Sequence, residues 1–242
     1  MSRAHRHFVA GQIWHITQRC HSRQFLLRFE IDRRRWLYWL FQARRRYRLS
    51  VLNYVVTSNH VHLLVHDSGN NAIADAMQLI AGRTAQEYNR RFDRSGAFWE
   101  ERYHATAVEA EGHLARCMLY IDMNMVRAGV VAHPLDWKAS GYHETMHPRR
   151  RGARLDLPRA AELLGFGTLF ELQQSRRRWV AERLATGPAL RDPVWTESVA
   201  VGSLDYALKM RRALAISNPG REPYPEAEGW SLREESAAYN VS

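Results

Sequence analysis

In the stretch Asn59-His60-Val61-His62-Leu63-Leu64-Val65, the two-residue period of a β-strand sends His60 and His62 to one face and Val61, Leu63 and Val65 to the other. Immediately before it, Val51 to Val56 is a second apolar, β-branched run, and Thr57-Ser58-Asn59 between the two suits a hairpin turn. Two imidazoles side by side on a strand can share one cation. Among twelve histidines, the same pair is equally what two ordinary sheet-face histidines would give.

Reading outward, Gln12 to Thr17 is rich in β-branched and aromatic residues and forms a strand. Asp32 stands where an N-cap would start a helix carrying Trp36, Leu37, Leu40 and Phe41 on one face and ending near Arg48. Beyond the hairpin, a second helix spans Ala72 to Arg91, the segment Phe92 to Gly96 breaks it, and Thr106 to Val108 is a short strand. A third helix covers Gly112 to Arg127 and stops before Gly129, which suits the C′ position. The order β-α-β-β-α-β-α predicts an α+β fold, a ferredoxin-like or RRM-like antiparallel sheet with helices. After Trp137 the texture changes, and His147-Pro148-Arg149-Arg150-Arg151-Gly152 reads as a linker. Helical apolar spacing returns in 160–164, 169–184 and 204–214, and from Pro219 the chain is rich in Pro, Gly and Glu. The expected division is a first domain over 1–145, a small helical C-terminal region over 146–218 and an acidic extended tail over 219–242.

The 242 residues carry a net charge of +10, and of their 35 basic side chains only Lys138 and Lys209 are lysine. Arginine offers planar, bidentate contacts to phosphate and stacks on bases, which favours a nucleic-acid partner. A codon bias toward arginine would explain the ratio, but not the positive sign. Hydrophobic residues make up 45%, enough to offset chain entropy and exclude global disorder. No apolar run approaches the ~20 residues that span a bilayer. Met1 to His7 is basic without an apolar stretch behind it, so no membrane association is expected and the cytoplasm is the expected location. Cys20 and Cys117 are too few and too far apart for a disulfide scaffold or a CxxC metal site.

On the third helix, Leu114, Cys117, Met118, Ile121 and Met125 define the core stripe. At ~100° per residue, Arg116, Asn124 and Arg127 fall within about 40° of Tyr120, forming a polar row beside that stripe. Such a row supplies a hydroxyl nucleophile, an oxygen ligand one turn on and guanidinium groups for a phosphate. It is also what an aromatic flanking the core among solvated arginines would look like. The clusters Arg33 to Arg35, Arg44 to Arg46, and Arg90 with Arg91 and Arg94 are further candidate phosphate contacts or simply solvated helix faces. Of these, Arg33, Arg34, Arg44, Arg45, Arg90 and Arg91 are retained as DNA-binding candidates. Trp99 and Tyr103 could stack on bases, with a place in the core the expected alternative.

Three blocks together resemble the REP-associated tyrosine transposases of the single-tyrosine HUH superfamily. They are His60-Val61-His62 with Leu63-Leu64-Val65, then Gly96-Ala97-Phe98-Trp99-Glu100-Glu101-Arg102-Tyr103, then Tyr120-Ile121 with Asn124 and Val126-Arg127-Ala128-Gly129. The resemblance covers about the first 145 residues. It implies an HUH transposase fold, His60 and His62 as metal ligands, Asn124 as the third ligand and Tyr120 as nucleophile. Asp122 ranks below Asn124, since helix geometry points it about 200° from Tyr120. Met125 departs from the proline that many relatives have there. The implied cofactor is Mg²⁺ or Mn²⁺, which mixed nitrogen and oxygen ligation suits. The implied partner is single-stranded DNA, at palindromic hairpins, and no small-molecule substrate is expected. The implied activity is strand cleavage and rejoining through a 5′-phosphotyrosine, the alternative being a domesticated, non-catalytic hairpin-binding protein. A monomer is expected, with a dimer left open.

Overall fold

The computed structural model describes residues 8–187, 191–214 and 222–233 of the chain. The N-terminal basic run, 215–221 and 234–242 lie outside them. The first strand is β1 (Ile13–Arg19), followed by α1 (Glu30–Tyr47), β2 (Ser50–Val56), β3 (His60–His66), α2 (Ala72–Arg91) and β4 (His104–Val108). Next come α3 (Gly112–Asp122), α4 (Asn124–Arg127), α5 (Gly141–Met146), α6 (Leu157–Leu163) and α7 (Leu169–Ala185). The described chain ends with α8 (Val194–Glu197), β5 (Ser198–Gly202), α9 (Leu204–Ala213), β6 (Tyr224–Glu226) and β7 (Gly229–Arg233).

The strands form one sheet in the order β2-β3-β1-β4-β5-β7-β6. Its first four, β2-β3-β1-β4, are antiparallel throughout and give the ferredoxin-like arrangement that the sequence predicts. Alternation along the strands divides the core in two. Trp14, Ile16, Tyr54, Val61, Leu63 and Val65 pack toward Trp36, Leu37 and Leu40 of α1 and Ile73, Met77 and Ile80 of α2. Ile13, Leu52, Val55, Leu64 and Val108 face Leu114, Cys117, Met118 and Ile121 of α3. The register shift between Val51 and Asn53 in β2 turns both Leu52 and Asn53 to the α3 side, where Asn53 Nδ2 donates to Asp122 Oδ1 at 2.9 Å.

Three expectations are corrected. The first helix starts at Glu30 with Phe29 as its N-cap, and Asp32 lies inside the first turn, buried and ion-paired to Arg91 rather than capping the backbone. The third helix is two: Met123, at φ −78° and ψ 0°, separates α3 from α4, and at this break the Arg127 guanidinium donates to the Tyr120 carbonyl. Beyond residue 146 the chain is not only helical. β5 pairs parallel with β4 through Ala107 and Ala200, and the acidic segment forms the β6–β7 hairpin, whose Leu232 is buried. Five-residue strands with two or three apolar side chains leave little periodicity for a sequence reading to find.

Candidate active site

On the α3 side of the sheet, the antiparallel register sets Thr17 opposite His62 and Arg19 opposite His60. The odd-numbered positions of β1 therefore share a face with the histidine pair, which adds His15 to it. His62 Nε2 lies 3.0 Å and His60 Nε2 lies 3.4 Å from the Asn124 amide nitrogen, so both ring nitrogens converge on one side chain. The break after Asp122 thus leaves Asn124 directed at the sheet, and the amide can present Oδ1 to the same space by turning about its last bond. Behind His60, Nδ1 donates to Asn59 Oδ1 at 2.7 Å, and the Thr57 hydroxyl lies 3.0 Å away. That bond leaves Nε2 as the bare lone pair facing Asn124.

Tyr120 borders the same cleft of about 760 Å³, together with Arg19, Arg127, Arg191, Glu100 and Glu101. Its ring centroid is 5.8 Å from that of His62 and 6.2 Å from that of Trp195, and the Arg127 guanidinium carbon sits 4.3 Å above it. Burial raises the Tyr120 phenol above its ordinary range, with the charges of Arg127 and Arg191 pulling the other way. Burial pushes His60 down to about 4, helped by Arg19, Arg127 and Arg191, and pushes His62 well below its usual value. Both imidazoles are consequently neutral at pH 7, the form that donates a lone pair to a cation. Among the described residues, no group of three or more His, Cys, Asp or Glu side chains has metal-binding geometry. The Asn124 carboxamide stands beside both ring nitrogens, and His60, His62 and Asn124 fit the mixed nitrogen and oxygen donor set of a divalent cation.

The remaining candidates separate. Arg127 lines the cleft, whereas Arg116 turns to an adjoining cavity on the other side of Tyr120 and pairs with Glu228 at 2.5 Å. Asp122 is taken up elsewhere: the buried Arg176 of α7 donates to both of its oxygens at 2.7 Å. Arg33 donates to the Leu27 and Arg28 carbonyls and covers the Trp137 ring, Arg34 pairs with Glu30, and Arg44 donates to the Ala153 carbonyl. Arg45 lies over Phe41, Arg91 is held by Asp32, and Arg90 is exposed; none of these six borders the cleft. Trp99 donates to the Ala81 carbonyl at 3.0 Å, and both it and Tyr103 pack with the core. The sequence reading missed His15, Arg19 and Arg191. The first two were available from the period of β1, while Arg191 reaches the cleft through long-range folding that no local pattern signals.

Fold and site define a class: a ferredoxin-like α+β sandwich in which a cleft on the α3 side of the sheet gathers two imidazoles, a carboxamide and a phenol among arginines. Residues 8–124 of the 242 match the family described as transposase, IS200-like. The fold is similar to that of a REP-associated tyrosine transposase solved bound to a REP hairpin, at a TM-score of 0.51 and 19% identity, covering 61% of this chain and 87% of that one. A candidate transposase from Deinococcus radiodurans R1 aligns at a TM-score of 0.34 and 19% identity, over 43% of this chain and 83% of that one. No curated protein sequence matches the chain. No helix among the described residues is long and apolar enough to cross a membrane.

Proposed function

We propose that this chain is a transposase that cleaves and rejoins single-stranded DNA, at hairpin sequences, with Tyr120 as the nucleophile. The observation that carries the reading is the convergence of His60 Nε2 and His62 Nε2 on Asn124, in one arginine-lined cleft with Tyr120. The Tyr120 Oη attacks phosphorus and gives up its proton, the bond from phosphorus to the 3′ oxygen breaks, and that oxygen takes up a proton. The products are a 5′-phosphotyrosine and a free 3′-OH. Reversal by another strand's 3′-OH regenerates the phenol, so rejoining needs no external energy source. Arg127 and Arg191 favour the phenolate and oppose the charge that builds on the non-bridging oxygens. His60, His62 and Asn124 would hold Mg²⁺ or Mn²⁺, which would supply positive charge to a non-bridging phosphate oxygen. The arginine-lined cleft of about 760 Å³ takes a splayed single strand more readily than a duplex.

The test uses labelled single-stranded hairpin DNA with Mn²⁺. The wild-type chain should give an adduct that survives denaturant, and Tyr120→Phe should bind the DNA but neither cleave it nor form the adduct. Cleavage by Tyr120→Phe would transfer the nucleophile to water. Binding without cleavage by the wild-type chain would favour the non-catalytic hairpin binder.

A further inference from the structure

Behind the candidate ligands lies a chain of bonds that begins outside the family-matched segment. The backbone carbonyl of Trp195, in α8, lies 2.8 Å from His15 Nδ1, and His15 Nε2 lies 2.9 Å from His62 Nδ1. His15 is fully buried and His62 is 3% exposed. Their ring centroids are 5.1 Å apart with planes only 14° from parallel, the separation of two imidazoles joined edge to edge through a 2.9 Å bond. A carbonyl can only accept, so His15 Nδ1 carries the hydrogen. In the neutral ring this leaves His15 Nε2 as an acceptor, and the hydrogen shared with His62 then belongs to His62 Nδ1. The bare lone pair of His62 is therefore on Nε2, the atom 3.0 Å from Asn124 and facing the cleft. The other arrangement, with both His15 nitrogens protonated, would bury an imidazolium whose hydrogen-bond partners here are a carbonyl and a neutral ring.

We infer that His15, anchored by the Trp195 carbonyl, is a positioning residue that locks His62 in its Nδ1–H tautomer and so aims His62 Nε2 as a cation ligand. The relay makes the segment that carries Trp195 part of the site. An outer hydrogen-bond partner that fixes the tautomer and orientation of a ligating histidine typically affects metal affinity by about 10–100-fold. The inference rests on the proposed cation site and deepens it.

Long-range ¹H–¹⁵N correlation spectra of the cation-free, full-length chain, together with Mn²⁺ titration by calorimetry, test it. In the wild type, His62 should show the Nδ1–H tautomer. In His15→Leu the tautomers should mix and Mn²⁺ should bind about 10–100-fold more weakly. His15→Gln sets a carboxamide near the position of Nε2, able to accept from His62, and should recover much of the affinity. An Nε2–H tautomer on His62 in the wild type, or unchanged Mn²⁺ affinity in a folded His15→Leu, overturns the positioning role and leaves the cation site standing. A wild-type chain that binds no Mn²⁺ while His62 is an Nδ1–H tautomer overturns the cation reading instead. Circular dichroism of each variant keeps misfolding apart from these outcomes.

Discussion

Tyr120 carries two opposed influences: burial favours the neutral phenol, and Arg127 and Arg191 favour the phenolate. Burial is the larger, so the phenol stays protonated at neutral pH and the cleavage rate should climb with pH throughout that range. Removing the guanidinium that lies 4.3 Å from the ring centroid should move the rising limb to higher pH. Arg127→Met is therefore expected to slow single-turnover cleavage at pH 7 by about 10²-fold, the scale of losing one charge-stabilising donor, while Arg127→Lys loses less. A pH–rate profile of both variants checks this, and a Met variant with the wild-type profile would remove Arg127 from the chemistry. How legible these residues were follows from distance along the chain. His60 and His62 lie on one strand, and the sequence period set Tyr120, Asn124 and Arg127 on one row although the helix breaks at Met123 between them, so periodicity grouped them and only the family resemblance assigned them roles. Arg191 comes from 64 positions beyond Arg127 in the numbering, where no local pattern reaches.

At the scale of elements, long periodic segments were the readable ones. The predicted limits of α2 agree with the structure at both ends, because twenty residues with Ile73, Met77 and Ile80 on one face leave no ambiguity. The strands β5 to β7 were not readable, because their burial is decided by β4 lending them an edge. The β6–β7 hairpin changes what the acidic segment means: Glu226 bonds Ser231 and Arg233 within the hairpin, while Glu228 reaches across to Arg116 beside Tyr120. Deleting everything after Pro219 would remove two strands along with the charges. Glu228→Gln isolates the electrostatic part. It should raise affinity for single-stranded DNA by a few-fold, most at low salt, because it frees one arginine and removes one repelling charge. Filter binding at two salt concentrations would show it, and equal affinities for variant and wild type would refute the competition of Glu228 with DNA for Arg116.

For the whole molecule, the site itself costs stability as pH falls. His15 and His60 are held down to about 3 and about 4 and His62 well below its usual value, all chiefly by burial. Between these values and about 6.5, the ordinary histidine pKa, the unfolded chain binds more protons than the folded one. Stability contributed by the neutral rings is thus complete above pH 6.5 and declines below it, by up to about 1.4 kcal/mol per pH unit for each histidine. Urea midpoints measured from pH 8 to pH 5 in the presence of a chelator should fall accordingly, and a flat profile would contradict the burial of neutral imidazoles. Segments after residue 146 hold the first part of the chain together. Arg176 of α7 is fully buried and donates to Asp122, Asn53 and Thr145, so a chain cut at residue 147 would lose the cation paired with the Asp122 carboxylate together with the helix packed over it. The cut also bares the β4 edge and removes the carbonyl that anchors His15. The truncated chain is therefore expected to lose its cooperative urea transition, and Asp122→Asn in the truncated background should restore part of it by removing the unpaired charge. Tryptophan fluorescence during urea unfolding distinguishes the cases. If the truncated chain unfolds cooperatively at the full-length midpoint, the first 147 residues are an independent domain and the Arg176 anchor is dispensable.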